Sequence, residues 1–165
     1  MRILLTNDDG IDAPGLQALC EAAAQVGEIV VVAPTTALSG CSHRVTTSQP
    51  LRLIRHGERQ FAVDGTPADC VRVALHEVLR ERAWILSGIN AGGNLGADVY
   101  HSGTVAAVRE GVLHGCPGIA FSHYQRRGLP VDWNRAATWV VRVLRDLLKR
   151  DWRPGVHWNL LLILL

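Results

Sequence analysis

The sequence predicts a three-layer α/β fold in which helices cover both faces of a mainly parallel sheet. Three observations carry that prediction. Runs such as Ile3-Leu4-Leu5 and Ile29-Val30-Val31-Val32 are apolar at every position rather than at alternate ones. Such strands are buried on both faces, the condition of a parallel sheet between two helical layers. Longer segments with apolar residues at helical spacing separate these runs, so strand and helix alternate along the chain. Loops rich in Asn, Asp, Ser and Gly follow the carboxyl ends of the apolar runs, where open α/β sheets bind ligands.

The first strand is expected over residues 2–6. Leu16, Leu19, Cys20 and Ala23 then repeat at helical spacing, and Gly27 closes that helix. Residues 28–33 form the second strand, stopped by Pro34, and a Ser/Thr-rich stretch covers 35–49. Residues 51–55 and 60–63, split by His56-Gly57-Glu58, read as a hairpin. Thr66 caps the next helix, Pro67 suits its first turn and Asp69 completes a capping box. Val71, Ala74, Leu75, Val78 and Leu79 form its buried face. Residues 84–87 are a short buried strand, followed by a Gly-rich loop over 88–96. A helix starts near Ser102 and turns Val105, Val108 and Val112 inward. Residues 118–122 are a further strand. Asp132 opens a long helix with Val140, Val143, Leu144 and Leu147 on its core side, and a last strand is expected over 156–164. No repeat or linker interrupts the series, so residues 1–165 read as a single domain.

At 165 residues the chain can fill one core. Its 48% apolar and 19% charged content excludes a disordered tail protein. A net charge of +2 is too small to predict a nucleic-acid partner. Lys149 is the only lysine, which excludes a Gly-Lys-Ser/Thr phosphate loop and a Schiff-base lysine beside any motif. Cys20, Cys41, Cys70 and Cys116 form no Cys-x-x-Cys pair and no zinc pattern, and read as free thiols of a reducing compartment. No leader is read before the first strand, and the apolar residues 160–165 are too few to span a bilayer. A soluble cytoplasmic protein with no membrane partner is expected.

Four segments carry chemistry. Asn7-Asp8-Asp9-Gly10 puts two carboxylates at the end of a buried strand, where unpaired charge is costly and neighbouring acids repel. A divalent cation relieves both problems, and oxygen donors favour Mg²⁺, Mn²⁺ or Ca²⁺ over zinc. The same run also fits an Asx turn with exposed acids. Ser39, past the second strand, offers a neutral oxygen, or simply bonds its own loop. In the run 87–96, Gly88, Gly92, Gly93 and Gly96 permit close backbone approach, and the Asn90 and Asn94 amides offer oxygen to a metal and N–H to a phosphate. The run is not a dinucleotide fingerprint, and a flexible loop is the plain alternative. Ser102-Gly103-Thr104 opens a helix whose unpaired N–H groups suit an anion, although Ser102 alone would also serve as an ordinary cap.

Taken together, these segments resemble the stationary-phase survival (SurE-type) family of acid phosphatases and 5'-nucleotidases. The matching stretches are Thr6-Asn7-Asp8-Asp9-Gly10, Ala13-Pro14-Gly15, Ala33-Pro34, Ser39-Gly40, Gly65-Thr66-Pro67-Ala68-Asp69-Cys70, Ser87-Gly88-Ile89-Asn90-Ala91-Gly92, Asn94-Leu95-Gly96, Asp98-Val99, Ser102-Gly103-Thr104-Val105 and Glu110-Gly111. The resemblance implies a three-layer Rossmann-like fold. It implies one divalent metal ion per subunit on Asp8, Asp9, Ser39 and Asn90, and phosphate contacts at Asn94, Ser102, Gly103 and Thr104. It also implies hydrolysis of nucleoside monophosphates, with 3'-nucleotides and short polyphosphate as further substrates, and a homodimer or tetramer.

Metal-assisted attack of water on phosphorus is therefore the expected reaction, with Asp8 and Asp9 as the catalytic pair. His101 and His123 are weak candidates for a general acid. A haloacid-dehalogenase-like mechanism needs Asp-x-Asp and a nearby Lys, whereas here the acids are adjacent and Lys149 lies in the last helix. Family members continue past residue 165, and leucines replace their polar, Pro-punctuated last strand, so the chain is expected to lack the family's C-terminal assembly segments. A non-catalytic phosphate- or nucleotide-binding remnant is the alternative reading.

Overall fold

A computed structural model of the chain describes residues 1–125 and 129–163. Seven strands form one sheet in the order β3-β4-β2-β1-β5-β6-β7. They are β1 (Arg2–Thr6), β2 (Glu28–Pro34), β3 (Leu53–Arg55), β4 (Gln60–Val63), β5 (Trp84–Ala91), β6 (Gly118–His123) and β7 (Trp158–Leu162). Every pairing is parallel except that of β3 with β4, which is the expected hairpin.

Strand alternation distributes the apolar side chains to two cores. Ile3 and Leu5 of β1 join a core with Leu16, Leu19, Val140 and Leu144, which belong to α1 (Pro14–Ala23) and α5 (Trp133–Leu147). Leu4, between them, joins the opposite core with Val32, Cys70, Val71 and Ala107. Those last residues come from β2, α2 (Pro67–Val73) and α4 (Gly103–Leu113). Continuous apolar runs thus face two helical layers, one residue to each in turn.

The capping box at α2 forms as read: Thr66 accepts from the Asp69 N–H, and Asp69 accepts from the Thr66 N–H. The helix does not keep one pitch, however. Residues Ala74–Leu79 widen into π-type turns and end at Arg80, which is left-handed with φ 55°. The wider turn carries Leu75 and Val78 off the buried stripe, so they are half-buried while Val71, Ala74 and Leu79 are buried. Val112 and Val143 are likewise half-buried rather than fully inward.

Other boundaries move as well: β3 begins at Leu53 rather than residue 51, β2 includes Pro34, and β6 ends at His123. β5 runs on through Ala91, into residues read as loop, and its register against β6 shifts between Ser87 and Asn90. One helical turn, α3 (Asp98–His101), precedes Ser102. The last strand begins at Trp158 rather than residue 156, and the expected end at 164 lies outside the described residues.

The order of the sheet fixes the site. From β1 the chain crosses to β2 on one side and later returns to β5 on the other. The carboxyl ends of β1 and β5 therefore flank the point where strand order reverses, the favoured crevice of an open α/β sheet.

Candidate functional site

At the end of β1, Thr6 pairs with Ser87 of β5, so the residues that follow each strand emerge side by side. Asn7 makes the turn: its Nδ2 donates to the Gly10 carbonyl at 2.8 Å, and the Gly10 N–H donates back to Oδ1 at 3.2 Å. Gly10 has φ +101°, a conformation that favours glycine. The Asx turn and the acid site are thus one object, in which Asn7 folds the loop and Asp8 and Asp9 are left for other work.

Both acids, Ser39, Asn90, Asn94 and Ser102 line one cavity of about 270 Å³. Ser39 arrives from the loop after β2, whose Leu38 N–H donates to the Asp8 carbonyl at 2.7 Å. Asn90 spends its Nδ2 on the Gly92 carbonyl at 2.9 Å, which leaves Oδ1 as its acceptor for the cavity. Asn94 is buried, and its Nδ2 donates to the Ser122 hydroxyl at 2.8 Å. Ser102 caps α4, accepting from the Val105 N–H at 3.1 Å, and keeps its own hydroxyl proton to donate.

Gly103 and Thr104 lie behind this wall instead of lining it. Thr104 is fully buried, and its hydroxyl donates to Asp8 Oδ1 at 2.6 Å. A methyl group on Gly103 would come within 2.8 Å of Asp8 Cβ and of Cys41 Sγ. Both were read from sequence as phosphate contacts; the Thr104 hydroxyl is engaged with Asp8, and the backbone N–H groups of the two residues stand at the start of α4.

Burial pushes the Asp8 carboxyl above its usual range, the Thr104 hydrogen bond opposes that, and the neighbouring Asp9 charge adds to it. Burial likewise raises Asp9, opposed by the Ala91 backbone. Among the described residues no Lys, Arg or His forms an ion pair with either acid. An acid pair with Asp8 buried and Asp9 half-buried, without a side-chain counter-charge and beside a hydroxyl and an amide oxygen, has the donor chemistry of a hard cation site. No group of three His, Cys, Asp or Glu side chains converges as a metal site among the described residues. The set is therefore two carboxylates and neutral oxygens, unlike a zinc centre.

Asp98, which the sequence placed in a matching stretch without a role, and His101, a candidate general acid, both belong to α3 and line the same space. His123, the other weak candidate, is buried at the end of β6 and does not line it. A larger cavity of about 560 Å³ includes Thr35, Thr36, Arg44 and Asp64. It holds no acid pair, and its Asp64 is engaged by Arg52. The smaller cavity is therefore the candidate site.

The family model described as survival protein SurE matches residues 3–161. A protein of Nostoc sp. is 51% identical over 96% of this chain and 70% of its own length. A 5'-nucleotidase SurE of Rhizorhabdus wittichii is 47% identical over 96% of this chain and 65% of its own length. The crystal structure of the SurE protein from Aquifex aeolicus superposes with a TM-score of 0.93 at 37% identity, covering 99% of this chain and 66% of that one. The chain thus spans about two thirds of the length of these relatives. No described helix is long and apolar enough to cross a membrane.

Proposed function

The chain belongs to the survival protein SurE family, and on that premise we propose that it is a divalent-metal-dependent phosphomonoesterase acting on nucleoside monophosphates. One observation carries the reading: donors from residues 8, 9, 39 and 90 line a single cavity with the phosphate-type donors Asn94 and Ser102. Asp8, Asp9, Ser39 and Asn90 would hold the ion, which when bound supplies positive charge against the phosphate and acidifies water for attack on phosphorus.

The chain's own residues prepare that reaction. Thr104 fixes the orientation of Asp8 through its 2.6 Å hydrogen bond. The Ser102 hydroxyl and the N-terminal end of α4 supply donors and a positive dipole end to the equatorial phosphate oxygens. Asn94, in the loop after β5 and bonded to the Ser122 hydroxyl, adds an amide. Donors fixed in this way lose little order when the transition state forms. The chain's length lends no support to a binding-only reading, since every proposed donor lies within it. Four free cysteines among the described residues fit work in the reducing cytoplasm. The exposed apolar Val156 and Ile163 beside edge strand β7 fit assembly into dimers or tetramers.

Phosphate release from a nucleoside monophosphate, measured with Mn²⁺ and with chelator, tests the proposal. Turnover should require the ion. Asp8→Asn and Asp9→Asn should each lower kcat/KM by about 100-fold or more, roughly 3 kcal/mol of transition-state stabilisation. Phosphate binding without turnover by the Mn²⁺-loaded chain would overturn it.

A further inference from the structure

Residues 38–46 form a strap without helix or strand that borders the site at Ser39 and Gly40 and leads away from it. The strap carries Ser39 and turns through left-handed backbone at Gly40 (φ +73°) and Ser42 (φ +55°). Its near end is tied to the site: Leu38 donates to the Asp8 carbonyl, and Ser42 donates from N–H and hydroxyl to the carbonyls of His101 (3.0 Å) and Tyr100 (2.7 Å). Its far end is tied to two buried acids that the chemistry above leaves unused. His43 Nε2 lies 2.7 Å from Glu110 Oε2. Thr46 donates from N–H and hydroxyl to the two Asp69 oxygens, each at 2.8 Å.

Glu110 is 7% exposed and Asp69 fully buried, and neither lines the cavity. A carboxylate is kept in such a place only when its oxygens are engaged. Asp69 also closes the α2 capping box, and Glu110 also meets His114 at 3.1 Å. Each acid thus joins the strap to a helix. α4 does so while presenting Thr104 to Asp8, so one rigid element sets both sides of the donor set.

We propose that Glu110, through His43, and Asp69, through Thr46, are positioning residues that hold Ser39 in register with the acid pair. The strap, rather than the ion, then builds the donor set. This rests on the reading of Ser39 as an ion donor. His43→Ala cuts the strap from Glu110, while Glu110 keeps His114 and an Arg72 Nε contact at 3.8 Å. In the full chain, Mn²⁺ affinity measured by electron paramagnetic resonance should weaken about tenfold. Amide exchange over 40–46 should quicken, with the melting temperature nearly unchanged. His43→Gln, whose amide can still donate to Glu110, should restore most of the affinity, and Thr46→Val should repeat the loss at the Asp69 end. Wild-type affinity in His43→Ala, or no recovery in His43→Gln, overturns the proposal. Ser39→Ala separates the two failures. If it weakens Mn²⁺ binding and His43→Ala does not, the strap idea alone is wrong. If Asp8→Asn abolishes binding and Ser39→Ala changes nothing, Ser39 is no donor and the proposal falls with that reading.

Discussion

Asp8 is 4% exposed, and its carboxyl is raised by burial and by the charge on Asp9. The hydroxyl of Thr104 is the side-chain contact that favours its ionised form. Thr104→Val keeps the shape and removes that donor. A buried acceptor left unpaired costs about 1–3 kcal/mol. Weaker Mn²⁺ binding by about tenfold is expected in a titration of the purified variant, and Thr104→Ser should bind nearly as the parent does. An unchanged affinity in Thr104→Val would show that the hydroxyl does not tune Asp8. The identity of the acids was legible in the sequence because two adjacent carboxylates after an apolar strand need explaining. The hydrogen bond from Thr104 to Asp8 was not. The two lie 96 residues apart, and a Ser-Gly-Thr opening on a helix states only the local possibility of anion binding.

α4 is the element on which the site depends most. It carries Ser102 as cap, Thr104 against Asp8 and Glu110 against the strap. Its distance from the sheet is set where Gly111 meets the Ile85 side chain of β5, with no room for a methyl group between them. Gly111→Ala should therefore lift the helix and cost about 1–3 kcal/mol of stability. A thermal melt should show a fall of several degrees, and phosphate affinity should fall with it because the helix start moves too. Retained affinity with lowered stability would mean that the two ends of α4 move independently. Elements were legible where a local signal repeats. Residues 2–6 and the Thr66-to-Asp69 cap appear as read, since a run of apolar residues and a capping box are each complete within a few positions. The continuation of β5 through Gly88 to Ala91 was hidden, because glycine and a polar Asn signal a loop when pairing with β6 cannot be seen. The π-type widening of residues 74–79 was hidden for the same reason, as the apolar spacing there fits an ordinary helix.

The whole molecule carries the acid pair as a conditional burden. Both carboxyls have folded-state pKa values above the ordinary 3.8, with burial as the largest cause. Folding thus favours their protonated forms. Their contribution to stability is fully present below the unfolded value and is lost as pH rises through the raised folded values. At neutral pH the ion-free chain holds two crowded charges at the junction of β1, β2 and β5, where loops from three strand ends meet. Asp8→Asn should therefore raise the melting temperature of the ion-free chain at neutral pH and change it little in acid. A bound cation should remove the same burden by a different route. At a concentration 100 times its Kd, the ion adds about 2.7 kcal/mol, or about 5–10 °C for a chain of this size. Protons compete for the same oxygens, so that gain should shrink as the pH is lowered into the carboxyl range. Differential scanning calorimetry at neutral and acid pH, with Mn²⁺ or with chelator, reads both effects in one set of melts. An equal Mn²⁺ shift at both pH values, or an equal shift in the parent and in Asp8→Asn, would show that the cation stabilises the fold from somewhere other than the acid pair.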